Sequence, residues 1–130
     1  MLAAASLIAQ RRPIEKFITA DGPLEITPIR HASMMIEAGG KVIHVDPWSQ
    51  ANYEGLPQAD VILITDIHGD HMDPKAIALV KKPGTVIIGP PAVAKTVTEA
   101  SPLANGETKK IGDWTFEAVP MYNEKRGPEA

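Results

Sequence analysis

The stretch that decides the fold is Val61–Asp73, "VILITDIHGDHMD". Its first four residues are all apolar, the pattern of a strand buried on both faces. Then the chemistry changes abruptly. Thr65–Asp73 holds two histidines and three aspartates in nine residues. Imidazole nitrogen and carboxylate oxygen together suit Zn²⁺, Mn²⁺ or Fe²⁺. Asp66 and His68 are two apart, so an extended loop lets both reach one side. Asp70 and His71 are adjacent, and a turn at Gly69 can aim them at separate metals. A loop at the carboxyl end of a buried strand is where α/β sheets place their ligands. A metal pair there would lower the pKa of bound water and give hydroxide near neutral pH.

Outward from this stretch, the pattern is that of an α/β layer. "LEITPI" (Leu24–Ile29) and "SMMIEA" (Ser33–Ala38) read as strands. Gly39-Gly40 makes a tight turn into a third strand, "KVIHVD". Beyond the loop, Asp73-Pro74 opens a helix, with Asp as N-cap and Pro in the first turn. Ile77, Leu79 and Val80 supply its apolar stripe, and Pro83-Gly84 ends it. "TVIIG" is another buried strand, followed by a helix over residues 91–100. Turn signals at Asn105-Gly106 and Gly112-Asp113 flank two short strands, "ETKKI" and "WTFEAV". The order β-β-β-β-α-β-α-β-β predicts a mixed sheet.

Composition narrows the function. The chain has 130 residues, enough for one domain, with 44% hydrophobic and 22% charged residues. A net charge of -3 provides no basic field for nucleic acid. There is no cysteine, so any metal must be held by nitrogen and oxygen. Residues 1–20 read as an N-terminal arm or signal-peptide remnant, and residues 21–130 as the folded unit. The apolar run Leu2–Ala9 is too short to span a bilayer. A signal remnant would imply export to the periplasm; otherwise the cytoplasm is expected.

"TDIHGDH" resembles the His-x-His-x-Asp-His signature of the metallo-β-lactamase fold hydrolases. The preceding "ADVILIT" resembles the strand that leads into it. "RHASMMIEAGGKVIHVDPW" resembles the N-terminal strands of the branch containing ascorbate-phosphate lactonase-like and N-acylphosphatidylethanolamine phospholipase-like proteins. The resemblance runs from about Leu24 to Pro128. It implies the first half of an αββα sandwich, a mixed sheet with helices on one face. It also implies two divalent metal ions, zinc first, with Mn or Fe possible alternatives. By this resemblance Asp66 and His68 bind the first metal, and Asp70 and His71 the second. Asp70 also orients or deprotonates the attacking water. The substrate would be a small molecule, cleaved at an ester, lactone, amide or phosphodiester.

The sequence departs from the signature at Asp66, where histidine is usual. Aspartate is a competent hard ligand and shifts preference toward Mn²⁺ or Fe²⁺. A second departure concerns the rest of the site. The family completes it with a later histidine, a bridging aspartate and a final histidine. This chain has four histidines, at 31, 44, 68 and 71, and none follows His71. Three explanations stand: a fragment lacking part of the site, completion by a homo-oligomer or a complementing C-terminal half, or a non-catalytic metal-binding half. A half-sandwich is also expected to leave one apolar sheet face uncovered.

Other residues carry weaker signals. His31 is a pocket-lining or structural residue, less readily a ligand. Asp46 ends a strand facing the site and suits a hydrogen-bonding role behind the ligands. His44, inside a strand, reads as structural. Tyr122 and Asn123 could reach the pocket. "GPPAVAKT" approaches a phosphate-binding loop, but Ala94 replaces its second glycine, and Pro90 and Pro91 remove two N–H donors.

Overall fold

A computed structural model describes residues 12–121. Five strands open the fold: β1 Glu15–Thr19, β2 Gly22–Arg30, β3 Ser33–Ala38, β4 Lys41–Val45 and β5 Ala59–Leu63. Helix α1 (Pro74–Val80), β6 (Lys81–Gly89), α2 (Pro91–Ala94) and β7 (Ser101–Pro102) follow. The sheet runs β1 to β7 in sequence order. Its first half is an antiparallel meander, and β4, β5, β6 and β7 are parallel. The mixed α/β sheet expected from the sequence is therefore present, with metallo-β-lactamase-like architecture.

The all-apolar strand splits as its pattern implies. Ile62 and Ile64 point to the helix face, where they join Ala59, Ile77, Val80, Ile87, Val93 and Val97. Val61 packs on the opposite face with Ile43, Ile88 and Leu103, and Leu63 flanks that cluster. Ile62 is completely buried, a contribution of roughly 1.5–3 kcal/mol for a side chain of its size. Asp73 caps α1 as expected. Its Oδ1 accepts from the backbone N–H of Lys75 at 2.9 Å, and its Oδ2 from that of Ser49 at 2.8 Å.

Five expectations need revision. Strand β1 lies inside the segment assigned to an arm. It pairs antiparallel with β2, and Lys16 bridges Glu25 across the pair at 2.6 Å. Residues 1–11, where the apolar run and signal-remnant expectation fall, lie outside the described residues. Leu79 does not belong to the buried stripe of α1; Ala76, Ile77 and Val80 form it, while Leu79 is exposed. Pro83-Gly84 does not end the helix, because the backbone turns extended at Lys81 and β6 runs through both residues. Helix α2 stops at Ala94, followed by irregular turns tied by Thr96 and Val97 N–H to the Val93 carbonyl. The β-branched pair Thr96 and Val97 disfavours regular continuation.

The fifth revision concerns the second sheet face. Strands β8 (Thr108–Ile111) and β9 (Trp114–Glu117) form a hairpin separate from the main sheet. Ile111, Trp114, Phe116 and Ala118 lie over Ile43, Val61, Ile88 and Leu103. The hairpin thus covers part of the face that a half-sandwich was expected to leave bare. Gly89 explains the near-match to a phosphate loop. A Cβ there would sit 3.0 Å from Val93 Cγ1 and 3.1 Å from the Ile64 carbonyl oxygen. The glycine serves close packing between β6, α2 and the loop strand.

Candidate metal centre

Three chain segments meet at one end of the sheet. Strand β3 begins beside the end of β4, since Met34 pairs with Val45. Strand β5 is parallel to β4, with Leu63 opposite Val45. The β2–β3 turn, the residue after β4 and the loop after β5 therefore share an edge. They deliver His31, Asp46 and the 66–71 loop to one place.

Asp46 is the fixed point. It is 2% exposed. Its Oδ1 accepts the Thr65 backbone N–H at 2.7 Å, and its Oδ2 accepts the Thr65 hydroxyl at 2.6 Å. The same Oδ2 lies 2.8 Å from His71 Nδ1. A carboxylate can only accept, so Nδ1 carries the proton and the neutral ring keeps a free lone pair on Nε2. Metal-binding histidines are commonly held this way. Asp46 thus ties Thr65 and His71 together.

The loop itself turns sharply. The N–H groups of His71 and Met72 both donate to the His68 carbonyl, at 2.9 and 2.8 Å. This turn does not aim Asp70 and His71 apart. His71 Nε2 and Asp70 Oδ2 face each other at 3.9 Å. His31 closes the group, with Nε2 2.8 Å from Asp70 Oδ2. Donor atoms of His31, Asp70 and His71 all lie within 4.8 Å of one another. Two imidazoles and one carboxylate are a donor set that divalent transition metals accept.

Asp66 and His68 sit differently. His68 Nδ1 is 2.7 Å from Asp66 Oδ1, and Asp66 also accepts the His68 backbone N–H at 3.2 Å. Among the described residues, the converging group contains neither of them.

Local electrostatics follow this geometry. Burial lowers the His71 pKa, but the Asp46 hydrogen bond and the charges of Asp46, Asp70 and Asp66 outweigh it and raise the value. Asp70 is held below the ordinary carboxylate range, chiefly by its own backbone N–H, then by His31 and His71, against slight desolvation. Among the described residues, His31 and Asp46 are the non-glycine residues with left-handed backbone, at φ 54° and 43°. Such a conformation costs on the order of 1–3 kcal/mol and concentrates at functional sites. Trp48 supports the outer edge: its ring centroid is 5.8 Å from that of His31, and the Arg30 guanidinium carbon lies 5.6 Å from it.

The partner of His31 could not be read from the sequence. Its link to Asp70 spans 39 residues, and only the histidine's place at a strand end hinted at it. His44 is buried as a structural residue, its Nε2 donating to the Pro57 carbonyl at 2.9 Å. Tyr122 and Asn123 lie outside the described residues.

Comparison with known proteins shows the family. The β-lactamase superfamily domain matches residues 25–130, and the chain belongs to that superfamily. A UPF0173 metal-dependent hydrolase of Thermodesulfovibrio yellowstonii is 34% identical over 91 residues, covering 63% of this chain and 34% of that protein. One from Flavobacterium johnsoniae is 35% identical over 105 residues, covering 72% of this chain and 44% of that protein. The chain thus spans between a third and a half of the length of these relatives. The crystal structure of a protein from Parabacteroides distasonis, described as a metal-dependent hydrolase, superposes with a TM-score of 0.83 at 42% identity. The match covers 90% of this chain and 55% of that one. Igni18, a metallo hydrolase of Ignicoccus hospitalis, shares the fold at a TM-score of 0.58 and 20% identity, over 69% of this chain and 43% of that one.

Proposed function

We propose that the chain provides the metal-binding loop of a metal-dependent hydrolase acting on a small-molecule ester, lactone, amide or phosphodiester. The observation that carries this reading is the Asp46–His71 contact of 2.8 Å, which leaves His71 Nε2 free beside Asp70. The donor chemistry fits zinc first, and its carboxylates also suit manganese or iron. Asp70 and His71 would hold one ion; Asp66 and His68 would hold a second. A bound divalent ion supplies Lewis acidity and makes water nucleophilic near neutral pH. The chain's own residues do the rest. Asp46 fixes the His71 tautomer, and Asp70 orients or deprotonates the attacking water. Thr65 holds the Asp46 carboxylate in line.

A second reading is a non-catalytic metal-binding half that assembles with a partner chain or a second copy. Exposed Val119 and Met121 favour it, because both line a groove with Thr65, Asp66 and Pro90 beside the loop. Among the described residues no helix is long and apolar enough to cross a membrane. Metal analysis combined with a panel of phosphodiester and lactone substrates separates the two readings. Metal with turnover supports the hydrolase. Metal without turnover, gained on adding a complementing partner, supports the half-site. Unchanged metal content in both His68→Ala and His71→Ala contradicts both.

A further inference from the structure

We propose that His31 is a third protein ligand, and that His31, Asp70 and His71 take up the first equivalent of a divalent transition metal. This rests on reading the 66–71 loop as a metal loop. It adds a residue from a different turn and ranks the two ligand pairs.

Distance is the first support. His31 Nε2 is 2.8 Å from Asp70 Oδ2, and Asp70 Oδ2 is 3.9 Å from His71 Nε2. Ligand atoms about 2.1 Å from a tetrahedral ion are separated by roughly 3.4 Å. The two observed edges bracket that value, and metal binding there releases the Nε2 proton that His31 now donates to Asp70. The opposite ring nitrogen of His71 is already engaged by Asp46.

The second support is how His31 is aimed. The β2–β3 register shifts between Pro28 and Arg30, an irregularity that redirects the strand end. His31 then adopts a φ of 54°, which glycine tolerates more easily. Its ring faces Trp48 and meets the His71 ring edge-on at a centroid distance of 6.2 Å. A bulge, a left-handed backbone and an aromatic support all direct one imidazole toward Asp70. The His31 side chain is 56% exposed, so an ion has a path inward.

The third support is the contrast with the other pair. Asp66 and His68 are engaged with each other at 2.7 Å. Metal displaces a hydrogen bond at either place, but among the described residues a third ligand atom, from His71, converges only on His31 and Asp70.

The test is a zinc titration of the full chain against a chromophoric chelator, with zinc X-ray absorption at one equivalent. Wild type is expected to show two imidazole nitrogens. His31→Ala is expected to lose at least about tenfold in affinity and to show one imidazole, while His68→Ala stays within about threefold. His31→Gln keeps an N–H donor for Asp70 but offers no ring nitrogen, so it is expected to lose affinity as alanine does. Thermal melts of the metal-free variants check that each is folded. Rescue by glutamine, or one imidazole in wild type, would make His31 a positioning residue and overturn the assignment. Loss of binding in His71→Ala with none in His31→Ala overturns the assignment but leaves the metal loop standing. Wild-type affinity in His71→Ala removes the metal loop itself.

Discussion

The 66–71 loop carries two aspartate–histidine pairs of the same chemistry, and the fold treats them differently. His71 is tied to buried Asp46, which in turn holds both the backbone and the hydroxyl of Thr65. The His68 side chain is tied to Asp66 and is 52% exposed, against 23% for His71. The His71 side chain is built into the end of the sheet, whereas that of His68 stands largely in solvent. Identical residue types therefore differ in how firmly they are held, because of what stands behind them.

The largest expected break in that contrast comes from Asp46→Ala. It strips acceptors from Thr65 N–H, Thr65 Oγ1 and His71 Nδ1 at a buried position. We expect a loss of about 3 kcal/mol in urea unfolding. A loss below about 1 kcal/mol would mean that water replaces the carboxylate without difficulty.

Proton linkage sharpens the contrast next, between His71 and His44. The His71 pKa is raised. Its contribution to metal-free stability is fully present below the unfolded pKa of about 6.5 and fades as pH climbs through the folded value. Metal needs the neutral ring, so uptake strengthens over the same rise. Burial lowers the His44 pKa, against its Pro57 hydrogen bond, and its Nδ1 is buried without a partner. Its contribution is complete above about 6.5 and is lost as pH falls toward the folded value. Urea melts from pH 5 to 8 should show His44→Phe flattening the acid side and His71→Gln flattening the other. The same pH profile in both variants would contradict this assignment.

A smaller effect separates the end of the loop from its start. Asp73→Ala removes the α1 cap and is expected to cost about 1 kcal/mol by thermal melting. Asp73 is held below the usual carboxylate range; desolvation opposes this, and the Ser49 contacts and the N–H groups of Lys75 and Ala76 overcome it. Its contribution is present above the unfolded carboxylate pKa and lost as pH falls through the lower folded one. Smallest of all, Asp66→Ala should change metal-free stability by no more than about 0.5 kcal/mol, since its partner His68 is largely exposed. A cost matching that of Asp73→Ala would show the two halves of the loop to be equally built in.

Much of this was legible in the residues. "VILI" announced a strand buried on both faces, and Asp73-Pro74 announced a helix start, because each signal is local. The meander around Gly39-Gly40 was legible for the same reason. Strand β1 was not: "EKFIT" lies exposed along the sheet edge and gains its form from pairing with β2. The β8–β9 hairpin was foreseen as two strands, but its crossing of the opposite face depends on Trp114 and Phe116 meeting distant Ile43 and Leu103. Within the site, the loop residues were evident as a cluster. Their unequal support was not, since Asp46 reaches His71 across 25 residues and His31 reaches Asp70 across 39.

The most direct measurement is zinc binding by calorimetry at pH 7.5, comparing wild type with His71→Ala and His68→Ala. The expected result is binding in wild type, loss of at least about a hundredfold in His71→Ala, and a much smaller loss in His68→Ala. Equal losses in the two variants, or none in His71→Ala, would contradict a metal centre anchored through Asp46 and His71.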